Sequence, residues 1–428
     1  MIQTKDNENK QHAQIKFFCI ATISLLFIIS FIFATPIELL NGMKVIVFSR
    51  DALITDYFAL AGYGAAFFNC AIISSLVLLL VIKLKAPFTG LTIAAIFINA
   101  GFALFGKNPV NILPIILGTY IYARVHGARM NRYIYTALFG TCLSPLVTEL
   151  VFLLPLQQPI NLILALLIGI LIGFTLPTLA MHTASMHMGY NLFNVGFAAG
   201  ILGFGIVSIL EAFGLESTPV LIWQEGRPIW LVLGLYGYFI ATFLYGLWIN
   251  KGELKSLFKI LRHPGRAVAD FVLMDGLGAT LMNMSVVGSV GLTYILLIKG
   301  DLSGPVIGGI LTIFGFGAFG VHVKNYIPCM LGVYLATCLK IFTPTTPSIQ
   351  IAALFSSGIA PIAGQFGPIA GIAAGMLHTS IVMSTGDLYS GLNLYNNGFS
   401  AGFVAIIMVP LLESFKNYSR KSVIGDKL

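Results

Sequence analysis

The sequence predicts an all-α fold, a polytopic transmembrane helical bundle made of two inverted-topology repeats, and three observations carry that prediction. Hydrophobic residues make up 57% of the chain and charged residues only 9%, with a mean hydropathy of +0.91. A soluble domain carries about a quarter charged residues. About 14 hydrophobic segments approach the roughly 20 apolar residues that a spanning helix needs. The chain also matches itself at an offset of 214 residues, from Gly62 onto Gly276 to Gly118 onto Gly332.

Residues 1–16 are polar and read as a cytoplasmic N-terminal tail. The next run, Phe17 to Thr35, spans a bilayer and lacks a small-residue cleavage site, so it is expected to stay as the first helix. Further segments lie near 57–82, 88–106, 110–125, 134–154, 161–181, 189–213, 230–249, 270–298, 303–320, 325–342, 347–363, 366–383 and 390–413. With 45 glycines and 18 prolines in the chain, some of these are expected to be re-entrant or broken.

Under the 214 offset Gly64, Ala65 and Asn69 fall on Gly278, Ala279 and Asn283, and Gly90, Phe102, Phe105 and Gly106 on Gly304, Phe316, Phe319 and Gly320. Leu138, Phe139 and Pro145 match Leu354, Phe355 and Pro361 after a two-residue slip. The predicted layout is repeat A over 17–213, an external connection over 214–229, repeat B over 230–413 and a cytoplasmic tail over 414–428.

Basic residues set the orientation. With both termini cytoplasmic, only Lys44, Arg50, Lys107, Arg227, Lys299 and Lys340 of the 24 Lys and Arg fall outside, as the positive-inside rule requires. The inner set includes Arg124, Arg129, Arg132, Lys416, Arg420 and Lys421. The linker 250–269 places Leu254, Leu257, Phe258 and Leu261 at helical spacing among lysines, which predicts an amphipathic helix on the inner leaflet. Seven crossings per half make the second repeat enter from the opposite side.

The most polar stretch occurs twice. His182, Thr183, Gly189, Asn191, Asn194, Gly196 and Gly200 are answered by His378, Thr379, Gly391, Asn393, Asn396, Gly398 and Gly402, with six extra residues, Asp387 among them, after the second His-Thr pair. Asn191/Asn194 and Asn393/Asn396, with Asn397 beside them, set amides one helical turn apart. Such amides suit a small neutral solute or an ion's coordination shell; interhelical hydrogen bonding is the plainer role. The histidines could relay protons or cap helices, and His187, without a counterpart, ranks below them. Gly196/Gly200 and Gly398/Gly402 are G-x-x-x-G pairs, expected to serve helix packing. Glu149 and Asp275 are the acids placed within apolar segments and so are candidates for proton or ion coupling. Phe102, Phe105, Phe316 and Phe319 could wall a narrow slot.

The five cysteines show no metal spacing, and no phosphate-binding or metalloprotease signature appears. No metal, cofactor or catalytic residue is expected. The excess of basic residues is explained by membrane insertion rather than by nucleic acid. Expected partners are the lipid bilayer and a small polar solute, and a homo-oligomer is compatible.

P-F-T-G-L at Pro87–Leu91 and G-Y-N-x-x-x-x-G at Gly189–Gly196 recur in order as S-G-P-V-I-G at Ser303–Gly308 and G-L-N-x-x-x-x-G at Gly391–Gly398. In this the chain resembles an uncharacterised family of bacterial membrane proteins built from a duplicated domain of unknown function. More distantly it is similar to urea transporters, which pair N-P-x-x-G-L with a later G-Y-N-G segment in each inverted repeat. It lacks their Leu-Pro-rich pore element. These readings lead to an expected cytoplasmic-membrane transporter or channel for a small polar solute, urea-like or ion-coupled, with its pathway between the repeats. The rival is a membrane-embedded enzyme or a non-transporting structural membrane protein.

Overall fold

The 214-residue offset reappears as geometry. A computed structural model describes residues 2–51, 54–217, 220–339, 341–389 and 391–425. Repeat A comprises α1 (Ile2–Phe33), α2 (Pro36–Phe48), α3 (Tyr57–Lys83), α4 (Gly90–Phe102), α5 (Pro109–Val125), α6 (Ile134–Gly140), α7 (Ser144–Leu153), α8 (Ile160–Met186) and α9 (Asn194–Ala212). Repeat B comprises α10 (Ile229–Ile249), α11 (Lys255–Ile260), α12 (Phe271–Asp275), α13 (Leu277–Leu297), α14 (Gly304–Phe316), α15 (Val323–Leu339), α16 (Pro347–Phe355), α17 (Ala360–Phe366), α18 (Pro368–Thr385) and α19 (Asn396–Gly425).

The halves agree down to single hydrogen bonds. Gly62 interrupts α3 at φ 82°, ψ 163°, and Gly276 separates α12 from α13 at φ 86°, ψ 160°. Only glycine takes that backbone cheaply. Seven residues beyond each break, an asparagine braces the chain after the next helix: Asn69 Nδ2 donates to the carbonyls of Ala103 and Lys107, and Asn283 Nδ2 to those of Gly317 and Val321. The fifth crossing of each half is broken at its centre by a 3₁₀ turn, at Thr141–Leu143 and Ser356–Ile359.

The repeats are inverted because equivalent helices run antiparallel. Along α4 and α14, Gly90 abuts the Ala318 carbonyl, Gly101 abuts Gly308, and Gly304 abuts the Leu104 carbonyl. A Cβ at Gly101 would lie 2.5 Å from the Gly308 carbonyl oxygen, so the two backbones touch. A pseudo-two-fold axis therefore crosses this pair at right angles. It also passes between α9 and α19, where Gly200 holds the Phe399 ring and Gly402 the Phe197 ring. The two G-x-x-x-G pairs thus sit at the close approach expected of them.

Within each half, α5 packs on α8 and α15 on α18. Gly173 faces the Ile115 carbonyl and Gly375 faces that of Cys329. From there to Gly189 and Gly391 the offset is a constant 202 (173 to 375, 189 to 391), so the six-residue insertion predicted after His378 does not exist. By this register Thr183 corresponds to Thr385, and the His-Thr match is coincidental.

One face gathers the basic segments. Gln11 Nε2 donates to the Val272 carbonyl, Arg266 Nε to the Met188 carbonyl, and Lys416 lies over the Phe366 ring. On the opposite face Ile54 pairs with Ile222, and Asp301 accepts from Trp223 Nε1 and Gly226 N. Residues 2–16 of the polar stretch are helical, continuous in α1 with the first apolar segment. Within the linker only Lys255–Ile260 is helical. Lys340 lies outside the described residues, as do the side chains of Asp387, Arg420 and Lys421.

Candidate functional site

Two cavities lie between the halves, one toward each face. The first holds about 430 Å³ and is lined by Thr136, His187, Asn194, Val268, Phe319 and Tyr395 among others. The second holds about 320 Å³ and is lined by Ile54, Phe105, Ser348, Gly391, Asn396 and Asn397 among others. The pseudo-two-fold exchanges them, since Val268 and Ile54, Phe319 and Phe105, and Asn194 and Asn396 are equivalent positions. A third, apolar groove of about 250 Å³ between α1 and α10 offers a solute little beyond Thr22 and Tyr238, which bond to each other at 2.8 Å.

An aromatic septum separates the two cavities. Phe105 packs on Phe102 at 4.8 Å, and Phe102 on Tyr395 at 4.6 Å and Phe355 at 5.5 Å between ring centroids. Phe355 continues to Phe193 at 5.8 Å, Phe193 to Phe316 at 4.9 Å, and Phe316 to Phe319 at 6.4 Å. The four phenylalanines predicted from the repeat therefore converge at one place, each buried. Edge-to-face contacts such as Phe193–Phe316, at 88°, make this a close-packed barrier.

Two buried aspartates fix the halves around the septum. Asp56 caps α3 through Phe58 N and also accepts from Gly304 N at 3.1 Å, the first residue of α14 in the other repeat. Asp270 caps α12 through Val272 N and accepts from Gly90 N at 3.0 Å and Leu91 N at 3.2 Å. Each carboxylate thus answers the orphan N–H groups and positive dipole end of the opposing short helix. The sequence contained the signal, since Asp56 and Asp270 share the 214 offset and each precedes an aromatic residue.

Lys107 breaks the symmetry. Placed by sequence in an external loop, it is instead fully buried after α4. Its Nζ donates to Asn99 Oδ1 at 3.0 Å and lies 3.5 Å from Tyr395 Oη. The ammonium sits 5.3 Å from the Phe102 centroid and 5.2 Å from that of Tyr395. Thr141 Oγ1 also donates to Asn99 Oδ1 at 3.2 Å, and Asn99 Nδ2 is spent on the Ala95 carbonyl, so the amide oxygen is held toward the lysine.

Of the predicted amides, Asn191 and Asn194 line the first cavity and Asn396 and Asn397 the second, but most are committed to the fold. Asn191 Nδ2 donates to the Gly398 carbonyl across the interface, and its Oδ1 accepts from Phe193 N. Asn393 Oδ1 accepts from Tyr395 N in the same way. Asn194 accepts from Thr183 Oγ1 and bonds His187 Nε2, both at 2.8 Å. Asn396 Oδ1 has no hydrogen-bond partner among the described residues.

Several predicted residues take other places. His182 is exposed on α8, and the buried histidine at the first cavity is His187, which sequence ranked lower. His378 is buried and bonds Asn397 Oδ1 at 3.1 Å, while Thr379 bonds back to the Gly375 carbonyl within its helix. Glu149 is buried in an ion pair with Arg50 and accepts from Ser217 Oγ at 2.8 Å. Asp275 lies 2.9 Å from His263 Nε2 at the α12 break. Neither acid stands alone within the bilayer. Among the described residues no group of His, Cys, Asp and Glu could hold a metal ion.

Fold and site together define a polytopic membrane protein whose inverted halves enclose two opposed cavities and one septum. The chain belongs to the family described as protein of unknown function (DUF1576), whose model matches residues 35–212 and 249–414, once per repeat. No curated protein and no solved structure matches it. The expected similarity to urea transporters is not supported by these comparisons.

Proposed function

We propose that this protein is a carrier for a small polar solute, exposing one site alternately to the two faces of the cell membrane. The observation that carries the reading is the pair of cavities, equivalent under the pseudo-two-fold, that stop at the same aromatic septum. In inverted-repeat carriers the solute site lies near the midplane at the repeat interface, and rocking of one half against the other opens it to each side in turn. Here the reciprocal caps of Asp56 and Asp270 hold the short helices while the surrounding helices move. Glu149 and Asp275 already have basic partners, so no coupling ion is routed through them. The basic face, with both termini, is assigned to the cytoplasm.

The test is osmotic swelling of proteoliposomes followed by light scattering in urea, glycerol and potassium salts of small anions. Entry faster than in protein-free vesicles is expected for at least one solute. No solute entering would sink the carrier reading and favour an enzymatic or structural role. Single cysteines at Thr136 and Ser348, in a background lacking exposed Cys338, are expected to react with an impermeant maleimide from opposite sides.

A further inference from the structure

Resting on the carrier reading, we propose that the solute is a small monovalent anion, a carboxylate or an inorganic anion of similar size, and that Lys107 is the group that binds it. The side chain is fully buried. Its neighbours are an amide oxygen, a hydroxyl and two ring faces, the surroundings of a cation. All of them are neutral. Among the described residues no carboxylate forms an ion pair with it, whereas Glu149 and Asp275 are both paired elsewhere. A buried charge without a counter-charge is costly and, inside a membrane protein, marks a functional position.

The second repeat supplies an internal control against a purely structural role. The turn that carries Lys107 is built again around Val321, with Asn283 bracing the carbonyls of Gly317 and Val321 as Asn69 braces those of Ala103 and Lys107. The fold therefore needs the backbone of this turn and not the lysine. Its two polar neighbours are equally dispensable, because Asn99 is matched by Ile313 and Tyr395 by Phe193. Three positions, two from the first repeat and one from the second, are polar where their pseudo-two-fold counterparts are apolar, and they meet at one ammonium.

One member of the trio reaches a cavity. Tyr395 lines the first cavity, and the Lys107 ammonium lies 5.2 Å from its ring centroid, outside the cavity lining. Asn99 and Tyr395 engage part of the ammonium, whose three N–H donors leave at least one to face an incoming anion. A single fixed charge selects a monovalent anion, and the phenylalanine walls limit its size. A carboxylate oxygen would take a charge-assisted bond from Nζ and a second from the Tyr395 hydroxyl.

The experiment uses the full chain in proteoliposomes, with isosmotic potassium formate, nitrate and lactate as anionic probes, valinomycin to carry the compensating potassium, and urea and glycerol as neutral probes. Wild-type vesicles are expected to swell in at least one potassium salt. Lys107→Met is expected to slow that entry about tenfold or more, the scale of a lost charge-assisted contact. Lys44→Met, on the exposed surface of α2, serves as the control and leaves entry unchanged. Lys107→Gln repeats the test should the methionine variant fail to elute as folded protein. Neutral probes entering while anions do not, or anion entry unaltered in both Lys107 variants, would overturn the anion assignment and leave the carrier standing. No entry of any probe into wild-type vesicles would overturn both.

Discussion

Around one ammonium stand Lys107 and Asn99 of the first repeat and Tyr395 of the second; at the positions that the pseudo-two-fold exchanges with them stand Val321, Ile313 and Phe193. The backbones around the two sets are alike, with the same glycine break, the same asparagine brace and the same capping aspartate. What the halves share is what the fold demands. What they do not share is free to be chemistry. This divides the polar residues of the interface in two, and several substitutions can break or sharpen the division.

The largest effect is expected at the shared caps. Asp56→Ala and Asp270→Ala each orphan N–H groups of their own helix and of the opposing repeat's helix, at a cost of about 4 kcal/mol. The two losses are expected to agree within about 1 kcal/mol, measured as unfolding equilibria in mixed detergent. A large cost at one cap and none at the other would mean that the symmetry is only apparent. Next come the shared close approaches: Gly173→Val and Gly375→Val each drive a side chain into a backbone carbonyl, for about 2 kcal/mol apiece.

The smallest expected effect tests the unshared set. Tyr395→Phe removes one hydroxyl from the trio and is expected to weaken anion entry about threefold with unchanged stability. Phe193→Tyr, its mirror image, places a hydroxyl where no lysine stands and is expected to leave entry unaltered. Equal responses from the two would erase the distinction between the halves.

Much of the fold was legible in one sequence because duplication writes the architecture twice. The Gly62/Gly276 and Phe102/Phe316 matches marked these positions as equivalent, and the structure gives each pair one place, a break before the long helix and a ring in the septum. The doubled asparagines were equally legible as a pair, yet their role was not: whether an amide faces a solute or a carbonyl depends on what lies across the interface. The His-Thr match shows how identity misleads when contacts are unseen. Packing of Gly173 on Ile115 and Gly375 on Cys329 set the register, and it put His182 on the outer surface. Glu149 read as an isolated acid because Arg50 is 99 residues away along the chain.

By itself, then, the sequence determined the membrane and the inversion of the halves, since hydropathy, charge asymmetry and repetition are properties of the chain read in order. Only the tertiary structure decided which polar groups are spent on one another and which are not. Lys107 follows a helix of 13 residues in what reads as a loop, and its burial arises because α4 and α14 are short and end inside the protein. Burial and pairing are long-range quantities: they depend on which atoms folding brings within about 3 Å, and no local pattern records that.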